Sequence, residues 1–458
     1  MYKKIGVAEV IANNYCIGCG LCAYADPSTF AMNLNDYGQF EAMYTKPDFD
    51  RALVDEICPF SDFALNEDQL GVELFPHNQY LDTLGYISKS YAGFVIEGEY
   101  RRNGSSGGLG SWLANELLTR SLIDGVIHLK SSESEKLFFE YGISSNHNEI
   151  ITNSKSRYYP VKLDDVLLYI KNHPGRYLFV GIPCMVKALR LLARKEKEIN
   201  DSIAFVLGLV CGHIKSTAFA EMLGWQLGVK PAELKSIDFR AKLDGYGSNQ
   251  YGVTVTSVKN RSIIRVTSQP VNEMFGTNWG LGYFKSTACD FCDDITAETA
   301  DITIGDAWLP EYVGDSEGTN IIVVRNSFFN EMLQSAQKRG QIQIKELHPE
   351  RIIESQSSGI NHRRTGLQYR LHLNKKAGVV SPIKRVVASD KFDRKFRKIQ
   401  ELRIKLRDES SRQFLAAKKA DDFLVFMRNM KSLNEKYASL YRMSLQKRVL
   451  NRIKKLFT

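Results

Sequence analysis

Three cysteines stand at ligand spacing near the start of the chain, in Cys16-Ile-Gly-Cys19-Gly-Leu-Cys22. A fourth, Cys58, follows thirty-six residues after Cys22 and directly before Pro59. This is the ligand spacing of an iron–sulfur cubane. Each two-residue gap lets the chain curl round a metal core. Gly18 and Gly20 lack a Cβ, so the backbone can approach the sulfides and aim N–H groups at them. In two-cluster ferredoxins a further cysteine, serving the other cluster, would stand at position 26 before Pro27. Here the residue is Asp26, so the segment is expected to hold one cubane, closed by Cys58. Zinc is the rival occupant, because four thiolates suit it too.

The remaining four cysteines are Cys184 in Gly-Ile-Pro-Cys, Cys211 in Leu-Val-Cys-Gly-His, and the pair Cys289-Asp-Phe-Cys292. Cys184 and Cys211 each follow an apolar run that reads as a buried strand. Strand ends line the ligand crevice of open α/β sheets, and a Cys-x-x-Cys pair from a third segment could complete a second four-thiolate site. Two readings stay open beside it. Cys184 and Cys211 could be small buried apolar residues, and Cys289/Cys292 could be a redox pair.

Asn103-Gly-Ser-Ser-Gly-Gly108 leads into a helical pattern beginning near Trp112. Glycines and serines ahead of a helix start can form an anion nest. The glycine spacing is that of neither a Walker A loop nor a dinucleotide fingerprint, and a flexible surface loop is the plain alternative. Beside a one-electron relay, a two-electron flavin diphosphate would suit it. Asp301-Ile-Thr-Ile-Gly-Asp306 reads as a strand ending in Gly305-Asp306, with a carboxylate for a ligand or simply a turn. His213 is the best candidate acid or base, because histidine titrates near neutrality; the alternative is a structural histidine.

The elements that must position these residues are those of an α/β protein. Apolar runs at Tyr91–Phe94, Gly125–Leu129, Tyr177–Val180, Ile203–Val210 and Thr319–Arg325 read as strands. They alternate with helical periods at Trp112–Leu122, Leu163–Ile170, Met185–Arg194 and Thr217–Leu227. Gln250–Val258 and Ser262–Thr267 alternate as a hairpin would. The expected organisation is a ferredoxin-like iron–sulfur module over 1–75, a mixed-sheet α/β flavin domain over 85–380, and a basic helical extension over 381–458. The Phe30–Met43 stretch of the first module reads as strand, turn, strand, with the turn at Asn35-Asp36-Tyr37-Gly38.

Composition narrows the class. At 458 residues, 43% hydrophobic and 25% charged, the chain is globular and large enough for two or three domains. Its longest apolar run, near Ala204–Cys211, is too short to span a bilayer, and the first residues carry no long apolar segment, so no signal peptide is expected. Eight cysteines are too few for a disulfide scaffold of this size, which points to metal in a reducing cytoplasm. The net charge of +9 is concentrated at one end: residues 384–458 hold 22 Lys and Arg against 8 Asp and Glu. Basic charge with apolar residues at helical spacing suggests peripheral contact with the inner membrane face. The alternative is packing on the acidic body or on a second subunit. No base-reading module accompanies the charge, so nucleic acid is not expected.

The chain resembles the coenzyme F420 hydrogenase/dehydrogenase beta-subunit family, in the branch encoded with polysaccharide-biosynthesis genes. The matching motifs are the Cys16–Cys22 run with Cys58-Pro59, Asn103–Gly108, Ser154-Lys-Ser-Arg-Tyr158, Gly181-Ile-Pro-Cys184, Leu209-Val-Cys211-Gly-His213, Phe239-Arg-Ala-Lys242, Cys289-x-x-Cys292 and Ala300–Trp308. The resemblance implies FAD with two [4Fe–4S] clusters. It places Asn103, Ser105, Ser106, Gly107, Gly108, Lys155, Tyr158 and Lys242 around the flavin, closed by Gly305 and Asp306. It implies a ferredoxin-like or deazaflavin electron partner and a small-molecule or glycan-precursor substrate. An electron-transfer subunit with no organic substrate of its own is the other reading.

Overall fold

The computed structural model describes residues 4–442, apart from 47–49, 135 and 260. Its centre is an eight-stranded mixed sheet built from β1 (Lys89–Val95), β2 (Gly125–Ser131), β3 (Phe139–Ser144), β4 (Tyr177–Gly181), β5 (Ile203–Leu209), β6 (Ile302–Asp306), β7 (Asn320–Val324) and β8 (Ile342–Glu346). The strand order is β8-β1-β7-β6-β5-β4-β2-β3. The four inner strands β2, β4, β5 and β6 run parallel. Antiparallel strands flank them on both sides.

Parallel strands covered on both faces should be continuously apolar, and Leu178, Phe179, Val206, Leu207, Ile302 and Ile304 are buried. The helix Leu109–Thr119 buries Trp112, Leu113 and Leu117 on one side of the sheet. The helix Pro183–Ala193 buries Met185, Val186, Leu189 and Leu192 on the other. Its proline sits at the first helical turn, where a missing N–H is harmless. The parallel arrangement brings the carboxyl ends of β4, β5 and β6 to one edge. Cys184, Cys211 and Asp306 all lie there, as the strand-end argument expects.

Residues 4 to about 75 form a small unit of four short helices and one hairpin. The hairpin pairs Phe30–Leu34 with Phe40–Tyr44. Its turn is the expected one: Asn35 Oδ1 accepts from the Tyr37 and Gln39 N–H groups, and Gly38 takes φ +71°. A separate three-stranded sheet of Leu234–Ala241, Gly252–Lys259 and Ser262–Thr267 contains the expected hairpin.

The C-terminal region is helical, as its periodicity predicts, but it is no free extension. Arg394–Ala420 and Phe423–Ser439 pack as a helical hairpin. Their apolar stripe, with Leu406, Phe414, Phe426 and Met430, is buried against Tyr283, Phe284 and Trp225 of the body. Lys418 meets Glu221 at 2.7 Å, and Arg407 pairs with Asp290. The spacing read as a membrane-seeking face is therefore the internal face of this hairpin. The part of the basic tail at 443–458 lies outside the described residues. Among the described residues, no helix is long and apolar enough to cross a membrane.

Candidate functional site

Cys16, Cys19, Cys22 and Cys58 line one small, largely apolar cavity, walled by residues such as Val7, Val10 and Ile57. Local sequence explains the arrangement. Gly18 and Gly20 adopt φ +72° and +84°, the left-handed region that favours glycine. A Cβ on Gly18 would stand 2.6 Å from the Phe40 carbonyl oxygen, and one on Gly20 would stand 2.8 Å from Asp164 Oδ1. These glycines thus serve close packing as well as curvature. The Gly18 N–H donates to Cys16 Sγ at 3.4 Å. Cys58 caps the helix Arg51–Ile57 in extended conformation, which the following proline demands. Burial is the first cause that raises every one of these thiols; cysteine neighbours add to it at Cys19, Cys22 and Cys58, and Glu41 adds to it at Cys16. Cys58 is pushed up to about 12.

Cys184, Cys211, Cys289 and Cys292 line a second small cavity, with Asp294 and Arg363. They arrive from the ends of β4 and β5 and from the short helix Thr287–Phe291. The Ile214 N–H donates to Cys289 Sγ at 3.3 Å. Arg363 is buried; its Nη2 donates to the Gly212 carbonyl at 2.6 Å, and its Nε has no partner among the described residues. Burial raises Cys211 to about 12 even though Arg363 works against it. Ile17 and Phe60 line both cavities, and Cys19 acts electrostatically on Cys184. The two cysteine sets are neighbours.

All eight cysteines are free thiols. Among the described residues, no group of three or more His, Cys, Asp or Glu side chains is gathered tightly enough to hold a single metal ion. The thiols stand instead around the two cavities. The donor set, four soft sulfurs with backbone N–H groups aimed at sulfur, has the chemistry of an iron–sulfur or zinc site.

The Asn103–Gly108 turn joins two helices, Tyr100–Asn103 and Leu109–Thr119. Not all of it faces outward. The Ser106 hydroxyl donates to the Thr319 carbonyl at 2.9 Å. A Cβ on Gly107 would stand 2.7 Å from the Gly93 carbonyl oxygen. These two residues of the turn pack inward, against Thr319 and Gly93. Gly305 is similar, pressed against Val210.

The other expected residues converge. Ser105 Oγ accepts from the Ser156 N–H at 2.8 Å, and the Asn103 carbonyl accepts from Ser154 Oγ at 2.9 Å. Lys155, at φ +82°, pairs with Asp238. Lys242 donates to the carbonyls of Arg101 and, at 2.7 Å, Glu317, and burial pulls it down to about 8. The residue that joins them is Arg240, which sequence reasoning passed over. It is 2% exposed and pairs with both oxygens of Asp306, at 3.0 and 3.1 Å. It also donates to Tyr158 Oη at 3.3 Å and to the Ser105 carbonyl at 3.1 Å, and its Nε has no partner among the described residues. It stands near the end of the strand Leu234–Ala241, and its partners are distant in sequence, so no spacing signal marked it.

His213 is buried against Trp279, with ring centroids 4.5 Å apart, and its Nε2 has no partner among the described residues. Burial first, then Lys215, Lys285 and Arg363, hold it well below its ordinary range, which favours the neutral imidazole.

Residues 90–168 match the family model for the beta subunit N-term of coenzyme F420 hydrogenase/dehydrogenase, and residues 175–350 match the model for its C terminus. An uncharacterised protein of Methanocaldococcus jannaschii is 20% identical over 253 residues, which is 54% of this chain and 84% of that one. A chain of the F420-reducing NiFe hydrogenase complex from Methanosarcina barkeri superposes with a TM-score of 0.48 at 16% identity, over 66% of this chain and 97% of its own.

Proposed function

This chain belongs to the coenzyme F420 hydrogenase/dehydrogenase beta-subunit family, and on that premise we propose that it is an iron–sulfur flavoprotein oxidoreductase. Cys16, Cys19, Cys22 and Cys58 would hold one [4Fe–4S] cluster. Cys184, Cys211, Cys289 and Cys292 would hold the other. When bound, the clusters supply one-electron carriage and an FAD supplies the exchange with an organic molecule. The observation that carries the reading is the pair of four-cysteine cavities set back to back through Ile17 and Phe60.

The proposed flavin pocket is the Asn103–Gly108 turn with Lys155, Tyr158, Arg240 and Lys242. Three cations round a turn that opens a helix suit an anionic diphosphate. The protein's part is to orient, to neutralise charge and to exclude water. A further cavity of about 440 Å³ lies between β3 and the helix Asp164–Asn172, lined by Phe40, Phe139, Tyr141, Lys162 and Tyr169 among others. That is room for a small organic ligand. The organic partner we propose is a deazaflavin or a polysaccharide or lipid-linked sugar precursor. The first rests on the family, the second on the resemblance to one of its branches.

Anaerobic iron analysis of the full chain should give about eight irons and a bound flavin. Cys289→Ser should leave about four. Lys242→Met should lower flavin occupancy while far-UV dichroism stays unchanged. A value near four in the unaltered protein, indifferent to Cys289→Ser, would remove the second cluster from the proposal.

A further inference from the structure

Residues 379–393 connect the helix Thr365–Ala377 to the helix Arg394–Ala420 without regular structure, yet two cations within them are among the most buried in the molecule. The side chain of Lys384 is 6% exposed and that of Arg385 is 5% exposed. Burying a guanidinium is costly unless its charge and all its donors are met. Arg385 is met by four carboxylates. Its Nη1 lies 2.9 Å from Asp68 and 2.6 Å from Glu298, and its Nε lies 3.4 Å from Asp293 and 3.7 Å from Glu67.

These carboxylates come from two places. Glu67 and Asp68 open the helix Glu67–Leu74 of the N-terminal unit. Asp293 directly follows Cys292, and Glu298 lies on the same loop. The neighbouring residues repeat the pattern. Lys384 Nζ lies 4.3 Å from the Phe60 ring centre and 3.8 Å from Asp293. The Ile383 N–H donates to Asp62 Oδ1 at 2.6 Å. The Val380 carbonyl accepts from Tyr15 Oη at 2.7 Å. Tyr15 precedes Cys16, and Phe60 follows Cys58 by two residues and lines both cavities.

Four of the six residues 380–385 therefore touch both flanks of the first cysteine set and the loop that carries half of the second. We infer that residues 380–385 are a clasp that fixes the two cysteine sets against each other, with Arg385 as the positioning residue for electron passage between them. The inference rests on the iron–sulfur reading above for its redox meaning. The step it serves is a one-electron transfer: one set loses an electron, the other gains it, and no bond forms or breaks. Overlap between donor and acceptor depends on their separation, so a clasp that holds the separation sets the rate. The occupant of the acidic cleft is thus the chain's own basic segment, and this part of the C-terminal charge has an internal purpose.

The test uses the full chain, purified without oxygen, in three forms: unaltered, Arg385→Leu and Arg385→Lys. Iron content is measured first, then the paramagnetic resonance of the fully reduced protein, then hydrogen exchange of residues 10–25 and 56–72. The expected result for Arg385→Leu is about eight irons, loss of the splitting that two neighbouring paramagnetic centres produce, and exchange at least tenfold faster in both segments. Arg385→Lys keeps the charge without the fork and should restore part of the splitting. Eight irons with unchanged splitting and unchanged exchange in Arg385→Leu would overturn the clasp. If the unaltered protein holds few irons, the iron–sulfur reading fails separately, and hydrogen exchange alone decides the clasp. Should Arg385→Leu not fold, Ile383→Pro removes the N–H donated to Asp62, and the same exchange measurement applies with the same two outcomes.

Discussion

Every residue lining the Cys16–Cys58 cavity lies between positions 7 and 60. The Cys184–Cys292 cavity draws on Ile17 and Phe60, on Pro183 and Cys184, on Cys211 and Ile214, on Cys289, Cys292 and Asp294, and on Arg363. One is a local construction with apolar walls. The other is assembled at the sheet edge from distant segments and includes a buried cation. The difference teaches that equal ligand sets need not be equal sites. The first depends on turns that glycine makes possible. The second depends on the whole fold, and its charge environment is set by a residue more than seventy positions beyond its last cysteine.

The largest expected effect comes from removing a ligand. Cys22→Ser should lower bound iron by about four atoms per chain and leave the spectrum of the second set in place. Loss of both sets together would show that the first is no independent construction. Next is the support of the second set. Phe426 is fully buried and meets Phe284 and Phe414, with ring centroids 5.8 and 5.4 Å away. Phe426→Ala should cost about 3–5 kcal/mol in denaturant unfolding. On warming, the second set should bleach before the first, because its walls lean on the helical hairpin. Simultaneous bleaching would erase the contrast in support.

Acid is a less selective probe. His128 on β2 is held down to about 4, by burial first and then by Lys130 and Arg157. Its folded value lies below its ordinary one, so the unfolded chain takes up a proton first as the pH falls. Stability is complete above about pH 6.5 and drains away towards pH 4. This residue contributes on the order of 2 kcal/mol, after a discount for the part of the ring that water reaches. His128→Gln should flatten that slope in acid-unfolding curves and affect both cysteine sets equally. The smallest effect is electrostatic. Arg363→Leu removes a cation beside the second set, and a cation favours the reduced, more negative state. Redox titration should show the second potential shifting negative and the first almost unmoved. Equal shifts would mean that the charge is not local.

Much of the sheet was legible. Runs such as Tyr177–Val180 and Ile203–Val210 are continuous and apolar because helices cover both faces, and they lie within a residue of the strands formed. Phe139–Ser144 and Ile342–Glu346 went unread, one interrupted by Gly142 and the other only five residues long. The cysteine spacings pointed to both cavities, although the second needed the topology to bring its segments together. Arg240 and Arg363 were invisible as site residues, because a lone arginine carries no spacing signal and its partners are distant in sequence. The tail shows the limit of periodicity. Helical spacing revealed an apolar face over Lys391–Arg407 but not what covers it, and the body's own Tyr283 and Phe284 do so.

The clasp also has a consequence in time. Roughly 330 residues separate Cys58 from Arg385. At about 5–20 residues per second on the ribosome, the first cysteine set emerges tens of seconds before the segment that closes over its flank. Throughout that interval Asp62, Glu67 and Asp68 are solvated and the thiols can be reached by whatever delivers metal. On the proposed iron–sulfur reading, the first set would be open to loading on the nascent chain, and residues 380–385 would seal its flank afterwards.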